Sequence, residues 1–150
     1  LSWLIILRKR DNFRKAFDGF DYNKIAGYSE NEIESLLQNE GIIRHRGKIE
    51  ATINNAQKAL MLIEEFGSLS NYFWQYEPNR SERPQVNSYQ NISILAKTNE
   101  STQMSKDLKK RGWKFVGPTT CYAFMQSMGI VNDHLEECYC YHKAKKVNPI

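Results

Sequence analysis

Apolar residues return every three or four positions along most of this chain, and that spacing suits helices and not strands. Over residues 46–66, Ile49, Ile53, Ala56, Leu60 and Ile63 fall on one face of a long helix that Gly67 closes. Trp3, Leu4, Leu7, Phe13, Ala16 and Phe17 keep the same spacing over residues 1–18. Ser29 and Glu32 make a capping-box pair, which opens a short helix through Leu36 and Leu37 that Gly41 ends. A further short helix follows Ser68 and holds Tyr72, Phe73 and Trp74. Another runs from about Thr102 to Arg111 and stops at Gly112. After a tight turn at Val116-Gly117-Pro118, a helix starts with proline in its first position, where the missing N–H costs nothing, and runs to Met128. Pro78, Pro84 and several Asn and Ser residues make residues 77–97 an irregular polar loop, and the tail from Ile130 reads as polar and irregular. No alternating Val, Ile and Thr segment of useful length and no solenoid-length repeat is present, so the expected fold class is all-α.

At 150 residues, 41% of them hydrophobic, the chain can build one domain with its own core, here expected to span 1–150. The apolar run Leu4 to Leu7 is too short to span a bilayer and no cleavage site follows it, so a cytoplasmic protein is expected. Cys121, Cys138 and Cys140 are an odd set, which argues against a disulfide framework, and Cys121 reads as a packing residue. The chain opens at Leu1 inside a helical pattern, so upstream sequence is expected. A net charge of +4 permits a polyanionic partner without demanding one. The basic clusters Arg8-Lys9-Arg10, Arg44-His45-Arg46 with Lys48, and Lys109-Lys110-Arg111 with Lys114 could neutralise phosphates, or could be ordinary solvated helix faces.

Three local features bear on chemistry. In residues 108–129 a helix, a glycine-containing hairpin and a second helix follow one another. Backbone N–H groups at the second helix's start form an anion site, with Lys114 beside it and Phe115 and Val116 as apolar anchor. An ordinary helix–helix turn is the plainer reading of so short a pattern. His134 and Cys138 stand four apart, a spacing that brings imidazole and thiolate together and suits zinc. A closed structural site needs four ligands, so His45, Cys140, His142 or upstream residues would have to complete it. A surface His near a free Cys is the plainer alternative. Trp3 is either a core residue or an aromatic that stacks on an extruded base.

Together, LSWLIILRKRDNFRKAF, GIIRHRGKIEATINNA and LKKRGWKFVGPTTCYAFMQSMGIVNDHLEECYCY resemble bacterial DNA-3-methyladenine glycosylase I, in consistent order over most of the chain. The resemblance implies the helix-hairpin-helix DNA glycosylase fold, a helical bundle with an irregular zinc-binding tail over 130–150. It implies base excision repair: hydrolysis of the N-glycosidic bond of 3-methyladenine in double-stranded DNA by base flipping, without strand cleavage. Trp3 would stack on the flipped base. Leu1 would lie at the wedge into the duplex, and Lys114, Gly117, Thr119 and Thr120 would hold the DNA backbone. His134 and Cys138 match two zinc ligands; Cys140 and His142 do not match ligand positions. The family's other Cys and His ligands, its base-recognising glutamate and a pocket tyrosine all lie upstream of the segment matching Leu1, so no catalytic residue is assigned within the chain.

Many helix-hairpin-helix glycosylases place an aspartate where this chain has Asn132, an amide that stabilises an oxocarbenium ion poorly. The chemistry would then lean on the cationic leaving base. Asp133 is a weaker catalytic candidate, with capping of the zinc turn the plainer role. No membrane or protein partner is implied, a monomer associated with the nucleoid is expected, and 3-methylguanine as a further substrate is left open. Two other classes remain. One is a non-catalytic helix-hairpin-helix DNA-binding module, which a glycosylase assay separates. The other is a helical protein-interaction domain, which would show no salt-dependent DNA binding.

Overall fold

In the computed structural model, which describes residues 2–144, helices carry the architecture and no strand occurs among the described residues. The chain falls into two compact units. The first takes residues 1–69 together with 112–115, and the second takes 70–111 together with 116–150.

In the first unit, α1 (Trp3–Arg8) and α2 (Arg10–Ala16) are separate helices where one was expected, divided at Lys9. No proline or glycine marks the break; the Lys9 ammonium instead donates to the Glu40 carbonyl at 2.7 Å. Helix α3 (Tyr22–Ile25) is short. Helix α4 (Glu30–Gln38) starts with the expected reciprocal cap between Ser29 and Glu32. It ends earlier than Gly41, at Asn39, whose side-chain oxygen accepts from the Gly41 N–H at 2.8 Å. A Cβ on Gly41 would lie 2.9 Å from that oxygen and would have to displace the Asn39 side chain, so the glycine leaves room for this cap.

Helix α5 (Arg46–Phe66) is the longest element, about 32 Å long at 1.5 Å per residue. It begins with the His45 ring nitrogen accepting from the Lys48 N–H and ends at left-handed Gly67. Ile49, Ile53 and Ala56 enter a core with Phe17, Ile25, Ile33, Leu36 and Ile42. Further along, the buried face moves to Ala59 and Leu62, while Leu60 and Ile63 are only half-buried.

In the second unit, α6 (Leu69–Phe73) leads through a 3₁₀ turn at Trp74–Tyr76 into the polar loop. That loop is less irregular than expected, for it holds a 3₁₀ turn at Arg80–Glu82 and helix α7 (Tyr89–Ile92). Helix α8 (Asn99–Lys110) starts three residues earlier than expected because Thr98 and Ser101 cap it. It packs on α9 (Pro118–Ser127) through Met104, Leu108, Cys121, Tyr122 and Met125, all buried. Buried Ser105 donates to the Val116 carbonyl at 2.6 Å. The tail is also more ordered than its composition suggests. Ile130, Val131 and Tyr141 are buried and α10 (Tyr141–Ala144) follows.

Candidate functional site

The segment joining α8 to α9 is shaped by two residues that leave the right-handed region. Gly112 has φ +86 and Phe115 has φ +58. Two adjacent side chains of α5 hold the segment between them. Asn54 donates to the Gly112 carbonyl at 2.9 Å. Asn55 donates to the Lys114 carbonyl and accepts from the Lys114 N–H, both at 2.9 Å. This bracket satisfies both backbone groups of Lys114 and leaves its side chain exposed.

Gly117 precedes α9 with φ −65, a conformation open to any residue, and a Cβ there would meet nothing within 4 Å, so neither backbone nor packing within the fold requires glycine here. No side chain caps α9. Pro118 has no N–H to offer, the Cys121 N–H is taken by the Gly117 carbonyl, and Thr119 and Thr120 are exposed in the uncapped first turn. An anion approaching Gly117 therefore meets backbone donors and the positive end of a helix dipole. The apolar anchor departs from expectation. Val116 is half-buried with its carbonyl bonded to Ser105, but Phe115 points outward, 56% exposed, because its left-handed backbone turns the ring away from the core.

The basic clusters divide in the same way. Arg46 is bound by Glu30, Glu34 and Glu50, and Arg111 by Asp107 at 2.7 Å. Both guanidinium groups are thus paired with carboxylates of the fold. Against the effect of burial, hydrogen bonds from Tyr72 and Arg111 hold the Asp107 carboxyl below the usual range. Lys48 is exposed, and its ammonium lies 5.9 Å from the Phe115 ring centroid.

Trp3 stands on α1 with its indole 78% exposed. Ile6, one turn on along the same face, lines an apolar pocket of about 180 Å³ with Phe13, Phe17, Phe20 and Ile49. Leu1 lies outside the described residues.

In the tail, the His134 ring nitrogen Nδ1 and the Cys138 Sγ are 3.8 Å apart. Two ligands of one tetrahedral zinc, at about 2.1 and 2.3 Å from the metal, would be roughly 3.6 Å apart, so the pair fits half of such a site. Among the described residues no third His, Cys, Asp or Glu joins them. Cys140 and His142 do not complete the set, and the His45 ring caps α5 instead. Residues 145–150 of the expected zinc-binding tail lie outside the described residues.

The turn before His134 is capped by Asn132, not Asp133: the Asn132 side-chain oxygen accepts from the His134 N–H at 3.2 Å. Its amide donates to the Tyr141 carbonyl at 2.9 Å. Asn87, buried in the polar loop, donates to the carbonyls of Asn132 and His134. Asp133 turns inward, 7% exposed at its side chain, and accepts from Arg83, Tyr122 and Gln126. Burial, then the bond to Asp133, pushes the Tyr122 phenol up to about 12. Burial likewise pushes the Cys121 thiol up to about 11, consistent with a packing role. Sequence reasoning missed Arg83, Asn87, Asn54 and Asn55, since polar residues that bond across the fold carry no periodic signal.

The model of the methyladenine glycosylase family matches residues 1–142. The chain belongs to that family. A DNA-3-methyladenine glycosylase of Haemophilus influenzae is 46% identical over 142 residues, covering 93% of this chain and 75% of that protein. The crystal structure of a 3-methyladenine DNA glycosylase I superposes with a TM-score of 0.80 at 45% identity, over 94% of this chain and 76% of that one. A single-residue variant of a 3-methyladenine DNA glycosylase I, solved in complex with 3-methyladenine, superposes with a TM-score of 0.83 at 34% identity, over 93% of this chain and 74% of its own. The all-helical fold is thus that of the methyladenine glycosylases.

Proposed function

We propose that this chain excises 3-methyladenine from alkylated double-stranded DNA, flipping the base from the duplex, hydrolysing its N-glycosidic bond and leaving an abasic site without cutting the strand. The observation that carries the reading is the family match across residues 1–142, joined to 46% identity with a DNA-3-methyladenine glycosylase. A 3-methylated adenine carries positive charge and leaves as a neutral base, so its bond to the sugar is already weak. The protein then needs to extrude, stack and orient rather than to supply a strong nucleophile. Asn132 suits that division of labour, because both ends of its amide are committed to backbone groups of the tail.

The exposed indole of Trp3 is free to receive the flipped base. Lys114, Gly117, Thr119 and Thr120 would hold one backbone strand, and Leu1 would lie at the wedge. His134 and Cys138 would be two ligands of a structural zinc, which would tie down the tail; their 3.8 Å separation supports this. No helix among the described residues is long and apolar enough to cross a membrane. We place the protein in the cytoplasm, with the nucleoid, as a monomer.

The test is incubation with methylated duplex and chromatography of what is released. Free 3-methyladenine, with strand breaks appearing only after alkali, is the expected result. Duplex binding with no release of free base would leave a non-catalytic DNA-binding module.

A further inference from the structure

Phe115 combines three features that the described fold does not reconcile. It is a bulky residue in a backbone conformation that L side chains rarely adopt. Its ring is 56% exposed. The segment that carries it is not loose, because Asn54 and Asn55 fix the backbone on either side of Trp113 with three hydrogen bonds of 2.9 Å. A fold that merely had to turn here would be served better by glycine, which accepts the left-handed region without strain. Strain held in place by surrounding bonds, with an apolar group displayed to water, marks a contact surface.

The charges beside the ring state what that surface meets. The Lys48 ammonium lies 5.9 Å from the ring centroid and Lys114, the preceding residue, is exposed. An aromatic face flanked by two cations suits a chain that alternates apolar sugar with phosphate.

Resting on the glycosylase reading above, we propose that Phe115 is a duplex-DNA contact, its ring laid against a deoxyribose of one strand while Lys48 and Lys114 meet the neighbouring phosphates. Asn54 and Asn55 are positioning residues for this contact.

The experiment compares the full chain with Phe115→Gly, Phe115→Ala, Lys48→Ala and Asn55→Ala. Binding is read by fluorescence anisotropy over a salt series, using a labelled duplex with a stable abasic-site analogue. Thermal unfolding is recorded for each protein. Phe115→Gly should bind about fivefold more weakly, with the slope of log affinity against log salt unchanged, and should unfold no lower than the parent. Phe115→Ala should bind as weakly, which separates loss of the ring from a loosened backbone. Lys48→Ala should lower the salt slope by about one. Asn55→Ala should weaken binding without altering the slope.

Parent-like binding by Phe115→Gly overturns the proposal, and so does a fall in its unfolding temperature, which would mark the ring as packing. If the parent still releases 3-methyladenine, the glycosylase reading survives that outcome. If the parent neither binds the duplex nor releases base, both fall.

Discussion

The hydroxyl of Tyr122 donates to the carboxylate of Asp133, and Arg83 and Gln126 reach the same group. The Asp133 side chain is 7% exposed and that of Arg83 14%, so this is a buried ion pair with its remaining lone pairs occupied. Such pairs add little net stability, but removing one partner strands the other charge out of water. Arg83→Met should therefore destabilise the chain by about 3 kcal/mol in urea unfolding. Tyr122→Phe, which removes one neutral donor, should cost about 1 kcal/mol. A loss below about 1 kcal/mol for Arg83→Met would mean that Asp133 is hydrated.

The same phenol sets an alkaline limit. Tyr122 titrates at about 12 in the fold, above the usual tyrosine value of 10, because burial and the Asp133 bond disfavour phenolate. A raised value means the contribution is whole below about pH 10 and is lost as pH climbs towards 12. The stability gap between the parent and Tyr122→Phe should narrow across that window. A constant gap across the same range would disprove the burial argument.

Trp3→Ala should leave stability within about 0.5 kcal/mol, because the indole is mostly exposed. Excision of 3-methyladenine in single-turnover assays should fall about fiftyfold, the scale of one lost base–aromatic stack. Duplex affinity should change by about twofold or less. Parallel loss of binding and excision would remove the stacking role.

The zinc proposal predicts that, in a protein that supplies the other two ligands, Cys138→Ala or His134→Ala lowers the zinc content found by elemental analysis and depresses the unfolding temperature by about 5 °C. A chelator should reproduce that depression in the parent and have no further effect on the variants. Unchanged zinc in Cys138→Ala would assign the metal to other residues.

Helices whose burial is one-sided were legible in advance. The 46–66 periodicity corresponds to Arg46–Phe66, with Gly67 left-handed at its end. The Ser29 and Glu32 pair and Pro118 at a helix start are found as their chemistry requires. The break at Lys9 was not legible, since neither neighbour disfavours helix and the lysine's partner is 31 residues away. The order of the 77–97 loop and of the tail was also hidden. It comes from Asn87 and Asn132 bonding to carbonyls, and such residues read in sequence as turn formers. At the candidate site, the four-residue spacing of His134 and Cys138 does bring ring nitrogen and sulfur to 3.8 Å. The sequence left open which basic groups are committed, because two of the carboxylates around Arg46, Glu30 and Glu34, arrive from another helix. It made Phe115 an anchor because hydrophobicity says nothing about the sign of φ.

The amides of Asn54 and Asn55 meet partners 58 and 59 positions further along the chain. During synthesis from the N-terminus, α5 can form and pack while those partners are still unmade. Its two asparagines then have only water and one another to bond until Lys114 has cleared the ribosome exit tunnel. A translation pause placed shortly before that point would hold the nascent chain with its first unit incomplete, and that is the interval in which a chaperone would find it.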